Sequence, residues 1–364
     1  MIEVYGHGGD LETAAYTYGR RAGDFTDFSS NINPLGPQPG LMEGLTEALS
    51  TISRYPDPGH RQFKGALAEK LGLGESYLSI GNGAAETMAL ILLALQPGTV
   101  GIVEPCFSEY RALAEQFGSK VISVRGQAEN NFHADPRDME QLIRRSDLVF
   151  LGQPNNPNGV QYGIELLRQY ARFAEQEGTF LVVDEAFIDF IVPESRHSLL
   201  NEISLYSRVI LVRSMTKFYA IPGLRLGYGI AHPDIIRAMT NKQVTWSVNQ
   251  LALVAGQICM AAPPSYEAST ISLITEERRR LREGLGRLGC RTWAGEANFL
   301  LVRLPDGWTA SQMQNELGQR GVLIRSCAMY PGLGEGDIRV AVKNMKDNSL
   351  LLREMQAVIG NGQQ

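Results

Sequence analysis

Between residues 77 and 228 one pattern recurs in the 364-residue chain: short, largely apolar runs rich in β-branched residues, at 100–103, 121–124 (where Ser123 is the one polar residue), 148–151, 180–183 and 209–212, each separated by a helix-like stretch. A strand that shows no polar residue on alternate positions must bury both of its faces, and that happens when helices cover both sides of a parallel sheet. The pattern therefore predicts an α/β domain with a mostly parallel sheet. After about Val248 the rhythm changes. A long helix is expected through 265–288, with Glu276/Arg280 and Glu283/Arg287 at i,i+4 spacing reading as a solvated face. Strands at 299–304, 322–325 and 338–342, a helix at 310–319 and a closing helix then suggest a smaller α+β domain. The first 35 residues, with HGGD and NINPLG, carry too many turn formers for a core element and read as an arm. The division is residues 1–35, an arm packing with the small domain; 36–247, the large domain; and 248–364, the small domain.

Composition narrows the function. Apolar residues are 44% and charged residues 20% of the chain, ordinary globular usage that argues against disorder or coiled coil. With 34 basic and 39 acidic residues, a net charge of -5, there is no electrostatic footprint for nucleic acid or an anionic membrane. The longest strongly apolar run, 88–95, falls well short of the roughly 20 residues that span a bilayer. Cys106, Cys259, Cys290 and Cys327 lie far apart, with no C-x-x-C pair or zinc-type spacing, so neither a disulfide framework nor a metal site is expected. Glu3 and Asp10 stand where a secretory signal would be basic and then apolar. The expectation is a cytoplasmic protein.

In parallel sheets ligands bind beyond the carboxyl ends of the strands, so the residues that follow each apolar run are the informative ones. They are Asp184-Glu185-Ala186-Phe187, the PNNPNG segment at 154–159, Arg213-Ser214-Met215-Thr216-Lys217, and Gly81-Asn82-Gly83-Ala84-Ala85-Glu86. Singly each has a plain reading: a helix cap, a turn, a surface lysine, a tight turn whose third glycine is replaced by Glu86. Together they set a phosphate cradle, a carboxylate, an amide and a lysine on one sheet edge. Pyridoxal phosphate needs that set, with the lysine amine for its Schiff base and the carboxylate for its pyridine nitrogen.

The segments PNNPNG, VVDEAF (182–187) and SMTKFYAIPGLRLGY (214–228) resemble fold-type I pyridoxal phosphate enzymes of the aspartate aminotransferase superfamily. HGGD (7–10), SSNINPLG (29–36), RYPDP (54–58), DEAFIDF (184–190), WSVN (246–249) and IRSCAMYPGL (324–333) extend the resemblance, over nearly the whole chain, to the threonine-phosphate decarboxylases of cobalamin biosynthesis. Histidinol-phosphate aminotransferases share the cofactor motifs. The resemblance implies the fold-type I transferase fold, pyridoxal 5'-phosphate as cofactor, and a homodimer with shared active sites.

By the same resemblance, Lys217 carries the cofactor and Asp184 keeps its pyridine nitrogen protonated. The cofactor phosphate takes the backbone N–H groups of Gly83 and Ala84, the hydroxyls of Ser214 and Thr216 and the guanidinium of Arg225. Phe107 stacks on the ring, and Tyr55 reaches the phosphate of the neighbouring subunit; its plain alternative is a core tyrosine beside a turn. Phe187 departs from the aminotransferases, which place a tyrosine three residues after the aspartate, so the ring oxygen leans on Asn156. For the substrate, Arg339 with Asn156 holds an α-carboxylate, while Arg325, His7, Gly8 and Asn31 surround a distal phosphate; arginine's fork suits both anions.

The reaction implied is decarboxylation of O-phospho-L-threonine to (R)-1-amino-2-propanol O-2-phosphate. The alternative is a histidinol-phosphate aminotransferase, which would show the same lysine, aspartate, asparagine and arginines. A non-catalytic cofactor-sensing domain is a third reading, disfavoured because such regulators carry an additional DNA-binding domain for which there is neither a basic patch nor spare length.

Overall fold

A computed structural model describes residues 8–361. His7 lies outside the described residues. The central sheet has seven strands: β1 (Leu78–Gly81), β2 (Thr99–Glu104), β3 (Lys120–Arg125), β4 (Leu148–Gly152), β5 (Phe180–Asp184), β6 (Val209–Ser214) and β7 (Gly227–Ala231), in the order β1-β7-β6-β5-β4-β2-β3. All ladders are parallel except the two made by β7, which runs against both of its neighbours. Successive strand residues point to opposite faces. Val149, Leu151, Leu181, Val183, Val209 and Leu211 accordingly join one apolar cluster, and Leu148, Phe150, Val182, Ile210 and Val212 another. Burial of both faces is the physical reason that the inner strands carry no polar alternate; the edge strand β3, which is half-buried to exposed, does carry one in Ser123.

Strand β7 is the element that the apolar runs did not reveal. Its sequence, Gly-Tyr-Gly-Ile-Ala, carries glycine where the helix Ala84–Leu95 comes down on the sheet. A Cβ at Gly227 would stand 2.5 Å from Ala84 N, 2.7 Å from Gly83 C and 3.0 Å from Arg213 O, all backbone atoms. The glycine is needed for that close approach.

The second unit is a four-stranded antiparallel sheet, formed by β8 (Arg291–Thr292), β9 (Phe299–Arg303), β10 (Arg325–Ser326) and β11 (Asp337–Ala341) in the order β10-β11-β9-β8. The helices Pro264–Arg287, Ala310–Gln319 and Met345–Asn361 accompany it. The single strand expected at 322–325 is divided. Val322–Leu323 pairs in parallel with Thr26–Asp27 of the amino-terminal segment, and Arg325–Ser326 pairs with β11. Phe28 continues the first pairing, its N–H donating to Leu323 O at 2.7 Å and its carbonyl accepting from Ala341 N at 2.9 Å. The arm also contains a helix, Leu11–Tyr18, opened by the Asp10 side chain accepting from Thr13 N and closed by a left-handed Gly19.

On the helix Pro264–Arg287 the ion pairs differ from those expected. Arg280 donates to Glu277 at 2.9 Å and Arg279 to Glu283 at 2.7 Å. Glu277 is buried and also accepts from Asn348 Nδ2 at 2.9 Å, so it draws Arg280 toward the closing helix. Among the described residues no helix is long and apolar enough to cross a membrane.

The substitution Gly227→Ala should lower stability by about 1–3 kcal/mol through overpacking against fixed backbone. Urea unfolding would show it as a lower midpoint at unchanged slope.

Candidate active site

The carboxyl ends of β4, β5 and β6 open on a cavity of about 390 Å³, within the range of about 300–1,000 Å³ common for small-molecule sites. Asp184 is the last residue of β5, and Asn156 follows β4 on the PNNPNG turn. Lys217 stands on the short helix Met215–Phe218, opened by the Ser214 side chain at the end of β6. Phe107, Ala84, Ser214, Thr216, Arg225, Gly8, Asn31, Arg325 and Arg339 also line the cavity, so most of the residues expected from sequence meet in one place.

The Lys217 amine donates to Thr216 Oγ1 at 3.0 Å, and Thr216 Oγ1 lies 2.7 Å from Ser214 Oγ. Desolvation inside the cavity, reinforced by the guanidinium groups of Arg225 and Arg339 against the pull of Asp184, lowers the lysine pKa to about 8. Asp184 is shifted upward by burial, opposed by the Tyr110 hydroxyl, the Ala186 N–H and Lys217. Its Oδ1 accepts from Ala186 N at 3.1 Å and its Oδ2 from Tyr110 Oη at 2.7 Å. Asp184 is thus both a local cap and a carboxylate presented to the cavity.

Arg339 is buried, with Nη1 donating to Asn156 Oδ1 at 2.7 Å and Nη2 to Ser29 O at 2.8 Å. Because Asn156 uses its oxygen on Arg339, its Nδ2 is what remains to donate to a bound oxygen. Arg325 is 1% exposed and faces Arg339 directly across the β10–β11 ladder.

One expectation is altered. Gly83 does not offer its N–H, which donates to Gly81 O at 2.8 Å to close the turn. The N–H groups left to receive an anion at the start of that helix are those of Ala84 and Ala85, which line the cavity and precede any intrahelical partner. Gly83 serves by its backbone, held at a φ of +88° that a side chain would strain, and a Cβ there would also meet Arg225 Nη2 at 2.6 Å. Glu86, at the position of the missing third glycine, accepts from Asn82 N at 2.5 Å and braces the turn from within. Tyr55 is not the core tyrosine of the plain alternative: it lies outside this chain's own cavity, is 80% exposed and stacks on Trp246 at 4.5 Å.

Two contributors were not read from sequence. Asn33, in NINPLG, donates its backbone N–H to Lys217 O at 3.0 Å and its Nδ2 to Phe218 O at 2.8 Å, tying the arm to the back of the lysine's turn. Tyr110 is the other, and its only sequence signal is an aromatic three residues after Phe107.

These residues fit pyridoxal 5'-phosphate. Two helix-start N–H groups, two hydroxyls and Arg225 surround a position for its phosphate, with a glycine where a side chain would intrude. A buried carboxylate stands ready to face its pyridine nitrogen, and a lysine with a depressed pKa lies between them. Phe187 lies beneath the amine, with Lys217 Nζ 6.0 Å from its ring centroid, and brings no hydroxyl to the site.

Comparison with known proteins agrees with this geometry. The model of the family "Aminotransferase class I and II" matches residues 23–353. A threonine-phosphate decarboxylase of Salmonella typhimurium is 34% identical over 97% of this chain and 96% of its own length. A histidinol-phosphate aminotransferase of Symbiobacterium thermophilum is 32% identical over 93% of this chain and 92% of its own. Among solved structures, the histidinol-phosphate aminotransferase of Clostridium acetobutylicum superposes with a TM-score of 0.85 at 32% identity, covering 92% of this chain and 99% of that one. The L-threonine-O-3-phosphate decarboxylase of Porphyromonas gingivalis superposes at 0.81 with the same coverage, and at 24% identity it speaks to the fold alone.

In protein freed of cofactor, Lys217 should react with an amine-directed acylating reagent with a midpoint near pH 8, the neutral amine being the nucleophile. Removing one neighbouring cation, in Arg225→Met, should move that midpoint upward. Peptide mapping by mass spectrometry across a pH series measures both.

Proposed function

Because this chain belongs to the aminotransferase class I and II family, we propose that it decarboxylates O-phospho-L-threonine to (R)-1-amino-2-propanol O-2-phosphate, a step of cobalamin biosynthesis. The observation that carries this reading is the pair Arg325 and Arg339, both buried, both lining the cavity and directly opposite one another on adjacent strands. Like charges in that position are destabilising. A substrate with two anions, a carboxylate and a phosphate, relieves the repulsion. The threonine-phosphate decarboxylase relative, similar over nearly its whole length, supports the same substrate.

Pyridoxal phosphate, when bound, supplies an electron sink that weakens the bonds at the substrate Cα. The chain's residues do the rest. With the cofactor bound, Asp184 would hold the proton on the ring nitrogen, and Asn156 would offer its Nδ2 to the ring oxygen in place of the hydroxyl that Phe187 lacks. Arg339 orients the α-carboxylate; its guanidinium is shared with Asn156 and Ser29 O, which moderates a grip that would otherwise oppose loss of CO2. Arg325, with Asn31 and Gly8 beside it, takes the distal phosphate. Binding energy from that remote group fixes the substrate's rotation and so selects which Cα bond is presented for cleavage. Lys217, with its pKa lowered to about 8, would deliver the proton that takes the place of the departing carboxylate at Cα.

The same reading includes a homodimer. Tyr55, Trp246, Val244 and Ile52 expose apolar surface outside the chain's own cavity, which suits a second copy and a Tyr55 hydroxyl that reaches the partner's phosphate site.

Incubation with carboxyl-labelled O-phospho-L-threonine should release labelled CO2 and leave the aminopropanol phosphate. A keto product, or turnover confined to histidinol phosphate, would overturn the assignment in favour of the aminotransferase. Lys217→Ala should abolish turnover, and an already inactive parent would instead support a sensing domain. Arg325→Met should raise KM for phosphothreonine by roughly 10–100-fold, the worth of a charge-assisted hydrogen bond.

A further inference from the structure

We infer that Tyr110 is the positioning residue for Asp184: one hydroxyl, fixed between aromatic rings, holds the carboxylate in the orientation that serves the cofactor's ring nitrogen. This rests on the cofactor assignment made above and extends it to a residue outside the cofactor motifs.

The geometry is specific. A carboxylate as deeply buried as Asp184 needs donors to stay ionised. Ala186 N–H, which supplies one, is backbone and independent of side-chain identity. The Tyr110 hydroxyl supplies the other at 2.7 Å, from the helix Glu109–Gln116 on a different wall of the site. The tyrosine is 1% exposed, so its ring has no room to swing. It lies parallel to Phe150, with centroids 5.0 Å apart and planes at 6°, and meets Phe107 edge-on at 5.7 Å and 87°. Phe107 lines the cavity as the residue expected to stack on the cofactor ring. Tyr110 therefore braces two groups that face the same ligand, the carboxylate through its hydroxyl and the phenyl ring through its edge. Burial and the adjacent Asp184 push its own pKa well above the usual phenol value, so it stays a donor throughout the working pH range.

Substituting Tyr110→Phe removes the hydroxyl and keeps the ring, which separates hydrogen bonding from packing. Affinity is measured by equilibrium dialysis for two probes, pyridoxal phosphate and its analogue with carbon in place of the ring nitrogen. The first probe should bind Tyr110→Phe about tenfold more weakly than the parent, as expected for loss of one hydrogen bond to a charged group. The second should change by less than about twofold, because Asp184 has no nitrogen to pair with there. Equal weakening of both probes would mean that Tyr110 acts through shape alone, and no weakening of either would mean that it does not act on Asp184; each overturns the inference. If the parent protein binds the two probes equally, Asp184 does not face a ring nitrogen and the inference falls while the cofactor assignment stands; a parent that binds neither probe would overturn the cofactor assignment itself.

Discussion

The amine of Lys217 is confined beside two guanidinium groups, and most of the site can be understood as the means of holding that concentration of positive charge. Lys217, Arg225, Arg325 and Arg339 line the cavity, against the carboxylates Asp184 and Glu109. Burial magnifies the repulsion. It favours the neutral amine, which is the form that can act as nucleophile or base, and it favours the arrival of anions. A cofactor phosphate near Arg225 and a doubly anionic substrate near Arg325 and Arg339 would each relieve part of the strain. The cationic surplus thus accounts for the lowered pKa of the lysine and suits the cavity to anionic ligands.

The sheet holds this arrangement through its two-residue period. Asp184 and Glu185 are adjacent but do different things. Asp184 faces the cavity, whereas Glu185 is fully buried against Arg213, whose Nη2 lies 2.8 Å from its Oε2, with Ser198 Oγ donating at 2.6 Å. Arg213 in turn precedes Ser214, which faces the cavity. A satisfied ion pair beneath the floor therefore ties β5 to β6 just where the cavity-lining Asp184 and Ser214 end them. Such pairs add little net stability over apolar packing, but breaking one is costly, which suits a place where register has to be kept. From the arm, Asn33 secures the other side of the lysine's turn.

Legibility in the sequence followed the physics of burial. The inner parallel strands could be read because burial on both faces removes every polar alternate, and the ligand-facing residues because they stand at the ends of those runs. Strand β7 was hidden by the glycines that admit the neighbouring helix, and the helix Leu11–Tyr18 by the turn formers on either side of it. Arg325 and Arg339 each drew attention as an arginine beside an apolar run, yet their direct opposition depends on how two strands far apart in sequence pair. Tyr110 had no distinguishing mark, since an aromatic residue on a helix reads as core.

The linear order of residues was enough to determine the chemistry available: a lysine, a carboxylate, an amide and a glycine turn, each placed where a buried strand ends, because strand burial and strand ends are local properties. Only the tertiary structure decided which groups engage one another: that Gly83 closes its own turn, that Tyr110 grips Asp184, that Tyr55 points away from the chain's own cavity, and that two arginines meet face to face. Those outcomes depend on strand order, register and the approach of distant helices, which are set by packing across the whole fold and have no signature in any short stretch of chain.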